Sequence, residues 1–374
     1  MNTCFRLCPF MLALILAGTG GCTPSEEPSG FAGLGAESGE GAVRAGKFLQ
    51  PGPQDRISLP EDLGPHPRHR IEWWYLTANL TTASGKPLGL QWTQFRQALK
   101  PRAPEQEPPA PSQWPLEAVW MAHGAVSFEG EHRFREKLGR GGIGHAGAQA
   151  DPFRVWLDDW ELVPSEGSGR WQLKVEAEDW SYDLTLTPRR EPVRHGQNGF
   201  SAKSASGEGS MYFSYVDLAI AGTVELGGES HAVEGTGWFD REWSSQFLRS
   251  EQQGWDWMAL HLKSGDKLMV FQLRENDSSF RAGTWVSEGA RGVALAGDDV
   301  QLKAIGMRET EEGEVPVEWR VRVPSRNVDL LVRAAPGQFW NRGIFPYWES
   351  PVEVSGSHQG RGYLELTGYA RRQK

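Results

Sequence analysis

The chain has 374 residues, enough for two domains, and carries 17 Trp and 45 Gly, a pairing that favours β-structure because Trp suits pleated surfaces and Gly suits tight turns. A formal charge of −9 excludes a nucleic-acid partner, which needs a basic footprint. The 3 cysteines are Cys4, Cys8 and Cys22, so the chain beyond them has no internal disulfide, thiol nucleophile or cysteine metal site.

In chain order, Arg6 precedes an apolar run, Leu7 to Ala17, that is too short to span a bilayer. Thr19-Gly-Gly-Cys22 follows, and residues 1–21 read as a bacterial lipoprotein signal that leaves Cys22 as the lipidated N-terminus and membrane anchor. Thr19 stands where such signals usually carry Leu, and a plain secretory signal cut nearby is the alternative. Thr23 to Gly46 is rich in Ser, Gly, Glu and Pro and reads as a flexible tether reaching to about residue 55. The localisation that follows is the periplasmic side of a bacterial envelope, lipid-anchored, or else soluble in the periplasm.

The body then alternates strands and turns. Ile71 to Leu80 and Leu88 to Arg96, joined by Thr81 to Lys86, predict a hairpin. Lys100 to Pro115 predicts a Pro-rich loop, and Leu138 to Ala148 an irregular Gly-rich stretch. Strands are expected at Ala122–Phe128, Phe153–Val163, Trp171–Ala177, Trp180–Thr187, Met211–Leu218, His231–Phe239, Trp257–Leu262, Lys267–Leu273, Val317–Val323, Val328–Val332 and Gly362–Tyr369. The best helix candidate is Glu242 to Gln253, and it is short. Glu72-Trp73 and Asp256-Trp257 are each followed by a strand, a Ser-Gly turn and a second strand ending Gln-x-Arg (Gln94 and Arg96; Gln272 and Arg274). This suggests two similar β-domains in tandem.

Strand alternation sorts the side chains. Asp256 shares a face with Met258, Leu260 and Leu262, while Trp255, Trp257, Ala259 and His261 take the other. Glu72 likewise shares its face with Trp74, Leu76, Ala78 and Leu80. Each hairpin therefore starts with a carboxylate at the mouth of an apolar interior, where its pKa rises unless Arg96 or Arg274 supplies a charge.

Carboxylates among large aromatics concentrate in Gly235-Thr-Gly-Trp-Phe-Asp-Arg-Glu-Trp-Ser244 and Gly254-Trp-Asp-Trp257. With Ile71-Glu-Trp-Trp-Tyr75, Trp92 to Arg96, Ala122-His123, Tyr347-Trp-Glu349 and Gly360 to Gly368, these motifs resemble the carotenoid 1,2-hydratase/AttH-like family. The resemblance runs in order from about His69 to Tyr369. It implies an all-β chain of two tandem lipocalin-like antiparallel β-barrel domains, at 56–247 and 248–372, with a hydrophobic ligand cleft where they meet. It also implies activities ranging from hydration of isoprenoid double bonds to uncharacterised secreted hydrolases, and an ABC-type exporter as a partner.

Asp256 matches the family's acid, and a neutral Asp in an apolar pocket is a competent proton donor. A buried Asp paired with an Arg is the competing reading. Arg241 occupies the position of a hydratase His, and Arg cannot relay a proton at neutral pH; it fits a cation that holds an anionic ligand group or pairs with Asp240 or Asp256. Asp240, Arg241 and Glu242 complete the catalytic candidates, with a salt-bridged strand corner as the alternative. Trp238, Trp243, Trp255, Trp257, Glu72, Trp74, His123, Tyr347, Trp348 and Glu349 are the ligand-binding candidates, although a core role is the first reading of Trp73, Trp74 and His123. The aromatic faces suit a carbocation or polyene. No G-x-S-x-G elbow, zinc spacing or phosphate-cradling loop occurs, and neither a metal nor a cofactor is expected. The chain reads as an envelope lipoprotein that binds a hydrophobic small molecule, isoprenoid, polyene or lipid-like. It either protonates that molecule through Asp256, for hydration, hydrolysis or isomerisation, or carries it without chemistry for an exporter.

Overall fold

The computed structural model describes residues 48–101, 116–165, 169–246, 251–276, 278–289 and 291–371. Cys22, the signal segment, the tether up to residue 47 and most of the Pro-rich 100–115 loop lie outside them. The end of the expected tether is docked: the Leu49 N–H donates to the Arg68 carbonyl at 2.9 Å, and Pro51 and Gly52 are buried.

Two antiparallel sheets form the body. The first contains β1 (Ile71–Thr82), β2 (Pro87–Ala98), β3 (Ala118–Phe128), β4 (Glu131–Arg140), β5 (Ala146–Ala150), β6 (Phe153–Leu157), β7 (Trp160–Pro164), β8 (Trp171–Glu176), β9 (Trp180–Pro188), β10 (Val193–Arg194), β11 (Phe200–Ala202), β12 (Gly209–Leu226) and β13 (Glu229–Ser244). Its order is β4-β3-β2-β1-β13-β12-β9-β8-β7-β6-β5, a nearly closed barrel. The second contains β14 (Gln252–Leu262), β15 (Lys267–Glu275), β16 (Ser279–Val286), β17 (Gly292–Leu295), β18 (Gln301–Glu309), β19 (Glu314–Val323), β20 (Val328–Ala334), β21 (Trp340–Asn341), β22 (Tyr347–Gly356) and β23 (Gly360–Thr367). Its order is β17-β16-β15-β14-β23-β22-β20-β19-β18, a half-barrel.

Several expectations change. Phe153–Val163 is two strands, broken where Asp158 takes φ 54°. Among the described residues the helix expected over Glu242–Gln253 is not seen: Glu242 to Ser244 end β13 and Gln252 starts β14, and 247–250 lie outside the described residues. Strands β4 and β5 take in both ends of the stretch expected to be irregular, Leu138 to Arg140 and Ala146 to Ala148; the charged sequence and largely half-exposed positions of β4 hide its strand pattern.

Each barrel has its own apolar interior. Trp74, Leu76, Leu90, Trp92, Phe239 and Trp243 belong to the first. Met258, Leu260, Trp319, Trp348 and Leu364 belong to the second. A third apolar cluster joins Tyr75, Tyr212, Val216 and Trp238 of the first sheet to Trp257, Phe271 and Tyr363 of the second. The barrels thus pack outer face to outer face, so β1, β12 and β13 and their counterparts β14 and β23 are buried on both sides. Gly89 on β2 marks a close approach: an added Cβ would lie 2.9 Å from both Pro351 Cγ and the Tyr363 hydroxyl.

Candidate active site

Alternation along β1, β13, β14 and β23 decides which side chains meet between the barrels. On β13, Phe239, Arg241 and Trp243 point into the first barrel, whereas Trp238, Asp240 and Glu242 point out. On β14, Asp256, Met258 and Leu260 point inward and Trp255 and Trp257 outward. The outward sets enclose a cavity of about 470 Å³. Its apolar wall includes Trp73, Phe95, Trp255, Trp257, Phe271 and Leu273, and its polar wall Tyr75, His123, Lys203, Tyr212, Asp240, Glu242, Tyr347 and Glu365.

Glu349 and Glu365 face one another directly across β22 and β23; Glu349 is buried and Glu365 half-buried. The Tyr75 hydroxyl donates to Glu349, as does Asn341 Nδ2 at 2.9 Å. Trp255 Nε1 donates to Glu365 at 2.6 Å. Burial, then the like charge of Glu365, pushes Glu349 well above the ordinary carboxylate range. Glu365 is pushed up to about 7, chiefly by burial. Two carboxyls side by side in a dry site cannot both ionise readily, and the pair retains a proton near neutrality.

Asp240 is raised to about 7 by burial, against hydrogen bonds that favour its ionised form. Trp238 Nε1 (2.6 Å) and the Tyr212 hydroxyl (2.8 Å) donate to it, as does Ser214. Ser214 in turn meets His195 Nε2 at 2.6 Å, and His195 Nδ1 lies 2.8 Å from the Thr284 hydroxyl of the second sheet. Glu242 pairs with Lys203 at 3.0 Å and accepts from Ser210. The Lys203 ammonium lies 4.4 Å from the Phe271 ring centre and 5.0 Å from that of Tyr212.

The remaining candidates lie elsewhere. Asp256 is inside the second barrel, ion-paired with Arg274 and accepting from Gln272 Nε2 at 2.7 Å. Burial raises its pKa despite Arg274. Glu72 is inside the first barrel, paired with Arg96 and Arg241, and the two guanidinium charges overcome burial to hold it well below the usual range. Arg241 therefore answers Glu72 rather than Asp240 or Asp256, because strand parity turns it to the opposite face from Asp240. Trp74 and Trp243 pack in the same interior: Trp74 Nε1 donates to the Leu63 carbonyl, and Trp243 stacks on His66 with ring centres 3.7 Å apart. Trp348 fills the second barrel. Trp238 lies at the interface and orients Asp240.

Asp240, Glu242, His123, Trp255, Trp257 and Tyr347 thus meet at one cavity, with Glu349 behind Tyr75. Sequence reasoning missed Glu365, Tyr75 and Tyr212. The Glu-x-Thr alternation of β23 carried the signal for Glu365, since Leu364 and Leu366 mark the inward face. Among the described residues no group of His, Cys, Asp or Glu is placed to hold a metal ion.

Comparison with known proteins adds a lineage. A family model described as AttH-like matches residues 50–369. The crystal structure of a protein assigned as AttH from Nitrosomonas europaea is 32% identical, with a TM-score of 0.76 over 86% of this chain and 100% of that one. The kievitone hydratase of Nectria haematococca shares the fold at 14% identity, with a TM-score of 0.64 over 87% and 97% of the two chains. No curated protein matches. With more than half of its length matched in order, the chain belongs to the AttH-like family.

Proposed function

We propose that the cleft takes up an apolar, alkene-bearing small molecule of isoprenoid type and adds water across its double bond, with Glu365 as proton donor and Asp240 as a second acid. The observation that carries this reading is the Glu349–Glu365 pair, a protonated carboxyl set in an aromatic wall. A carboxyl held near pH 7 is matched to proton transfer at neutral pH. The faces of Trp73, Trp255 and Trp257 suit the cation that protonation creates. The hydratase fold-mate lends the reaction class support by analogy only. Asp256, enclosed by Arg274 and Gln272 on the far side of β14, serves the second barrel and not the substrate.

The test is incubation of the purified protein with geraniol, farnesol and squalene in ¹⁸O-water, followed by mass spectrometry. Addition of one labelled water, lost in Glu365→Gln but kept per folded molecule in Asp256→Asn, supports the reading. Uptake of these probes without addition of water refutes hydration and is the behaviour of a carrier. The resemblance of the segment ending at Cys22 to a lipoprotein signal is the ground for placing this activity at the envelope, lipid-anchored, with an exporter as the partner to test by co-purification.

A further inference from the structure

The cavity has a second polar wall that the acid pair does not use. His123 on β3 is 1% exposed and directly faces Glu136 on β4 in the sheet register. Its Nε2 lies 2.9 Å from Glu136, and its Nδ1 2.9 Å from the Tyr347 hydroxyl of the second barrel. Phe95 and Phe134 meet the imidazole edge-on, at 5.3 and 5.1 Å between ring centres. Glu136 and Tyr347 are thus the titratable groups that face it. Glu136 also accepts the Ile344 backbone N–H at 3.1 Å, and its side chain is 16% exposed.

Burial keeps the imidazole neutral, lowering its pKa against the opposing pull of Glu136. Burial raises Glu136, but the His123 contact and the Ile344 N–H outweigh it and hold the carboxyl below its ordinary value. An ionised carboxylate accepts only, so Nε2 must carry the imidazole proton. Nδ1 is then the acceptor, and Tyr347 donates to it. The hydrogens of the chain Tyr347–His123–Glu136 run towards Glu136; the Tyr347 oxygen accepts from Gln91 Nε2 at 3.3 Å, and its second lone pair is the acceptor offered to the cavity.

We infer that Tyr347 and His123 form the base of the cleft, fixed in tautomer by Glu136 as a positioning residue, and that this base takes the proton from the water that adds. The inference rests on the hydration reading. In the step, the π bond breaks and a C–H bond forms with the Glu365 proton. Water oxygen then bonds to the cationic carbon, and one water proton passes to the Tyr347 oxygen as the tyrosine proton moves to Nδ1. Once the alcohol has left, the Nδ1 proton returns to the Tyr347 oxygen and the tyrosine's other proton passes through water in the cleft to Glu365, so the Nε2–H imidazole and the acid are both restored and alkene plus water gives alcohol with no net change in the protein. A water bonded to a carbocation is strongly acidic, so an imidazole of lowered basicity suffices.

The experiment combines ¹⁵N-histidine NMR with geraniol turnover and geraniol binding, the last read from tryptophan fluorescence. Wild type should show a neutral Nε2–H His123 at pH 7. Glu136→Gln should lose about a hundredfold in kcat with geraniol binding unchanged and the pH–rate profile displaced, while Glu136→Asp restores part of the loss. Tyr347→Phe should lose as much. An Nδ1–H or imidazolium signal, or turnover that survives both Glu136→Gln and Tyr347→Phe, overturns the base assignment alone. Geraniol bound by wild type but never hydrated overturns the hydration reading and the base role with it, even if the Nε2–H tautomer is seen.

Discussion

Replacing Glu365 by Gln should stabilise the protein in alkali and not in acid. Glu365 is half-buried and its pKa moves from 4.5 to about 7 on folding. A group whose folded pKa is raised contributes stability below its unfolded pKa and loses it as pH rises through the folded value. The shift of about 2.5 units corresponds to about 3 kcal/mol of destabilisation above pH 8, at about 1.4 kcal/mol per unit. At pH 5 less than about 1 kcal/mol of it remains. Gln keeps an oxygen for Trp255 Nε1 and carries no charge, and it also relieves Glu349 of a like-charged neighbour. Urea titrations of wild type and Glu365→Gln at pH 5 and pH 9 should therefore differ in their stability increment by about 2 to 3 kcal/mol. An increment that does not change with pH would show that Glu365 ionises normally, and the assignment of the acid would fall with it. The gain at high pH accompanies the loss of turnover, as expected where an active site is held at a cost in stability.

Three other outcomes are expected. Asp256→Asn should lower stability by about 3 kcal/mol, because Arg274 loses its charged partner, and the urea midpoint checks it. Trp257→Ala should lower stability by about 3 kcal/mol and weaken geraniol binding at least tenfold; unchanged affinity would exclude this wall from the ligand site. Half-buried His132 and His261 (about 4) and fully buried His195 (about 3) have depressed folded pKa values. Their stabilising share is complete above pH 6.5 and declines towards pH 4, by up to about 1.4 kcal/mol per unit each. His195→Gln should therefore be less acid-labile relative to its own stability at pH 7 than wild type, as followed by acid titration of tryptophan emission.

Much of this was legible in the residues. The repeat of a carboxylate, a Ser-Gly turn and a terminal Arg became the Glu72–Arg96 and Asp256–Arg274 ion pairs. The parity of β14 placed Asp256 with Met258 and Leu260, as found. What alternation does not reveal is that the other face is buried too. By alternation alone Trp255 and Trp257 lie on an outer face, so Asp256 on the inner face stands out as the acid. Only the docking of the barrels makes that outer face a dry wall and brings Asp240 and Glu365, 125 residues apart in number, to one cavity. Glu136 was illegible for a related reason: it lies on a charged strand, and its partner His123 is joined in turn to Tyr347 of the other sheet.

The outer-face packing has a consequence for how the protein can be handled. Tyr212, Val216 and Trp238 on one barrel and Trp257, Phe271 and Tyr363 on the other are each sealed by their opposite numbers. Either half made alone would present that seal to water as an adhesive patch. Because the two patches differ and complement each other, the protein is a natural two-fragment system: chains divided between Gln246 and Glu251 should recombine when co-expressed and precipitate when not. Ligand occupancy should tighten that recombination, since the cavity wall is completed only by the reunited pair.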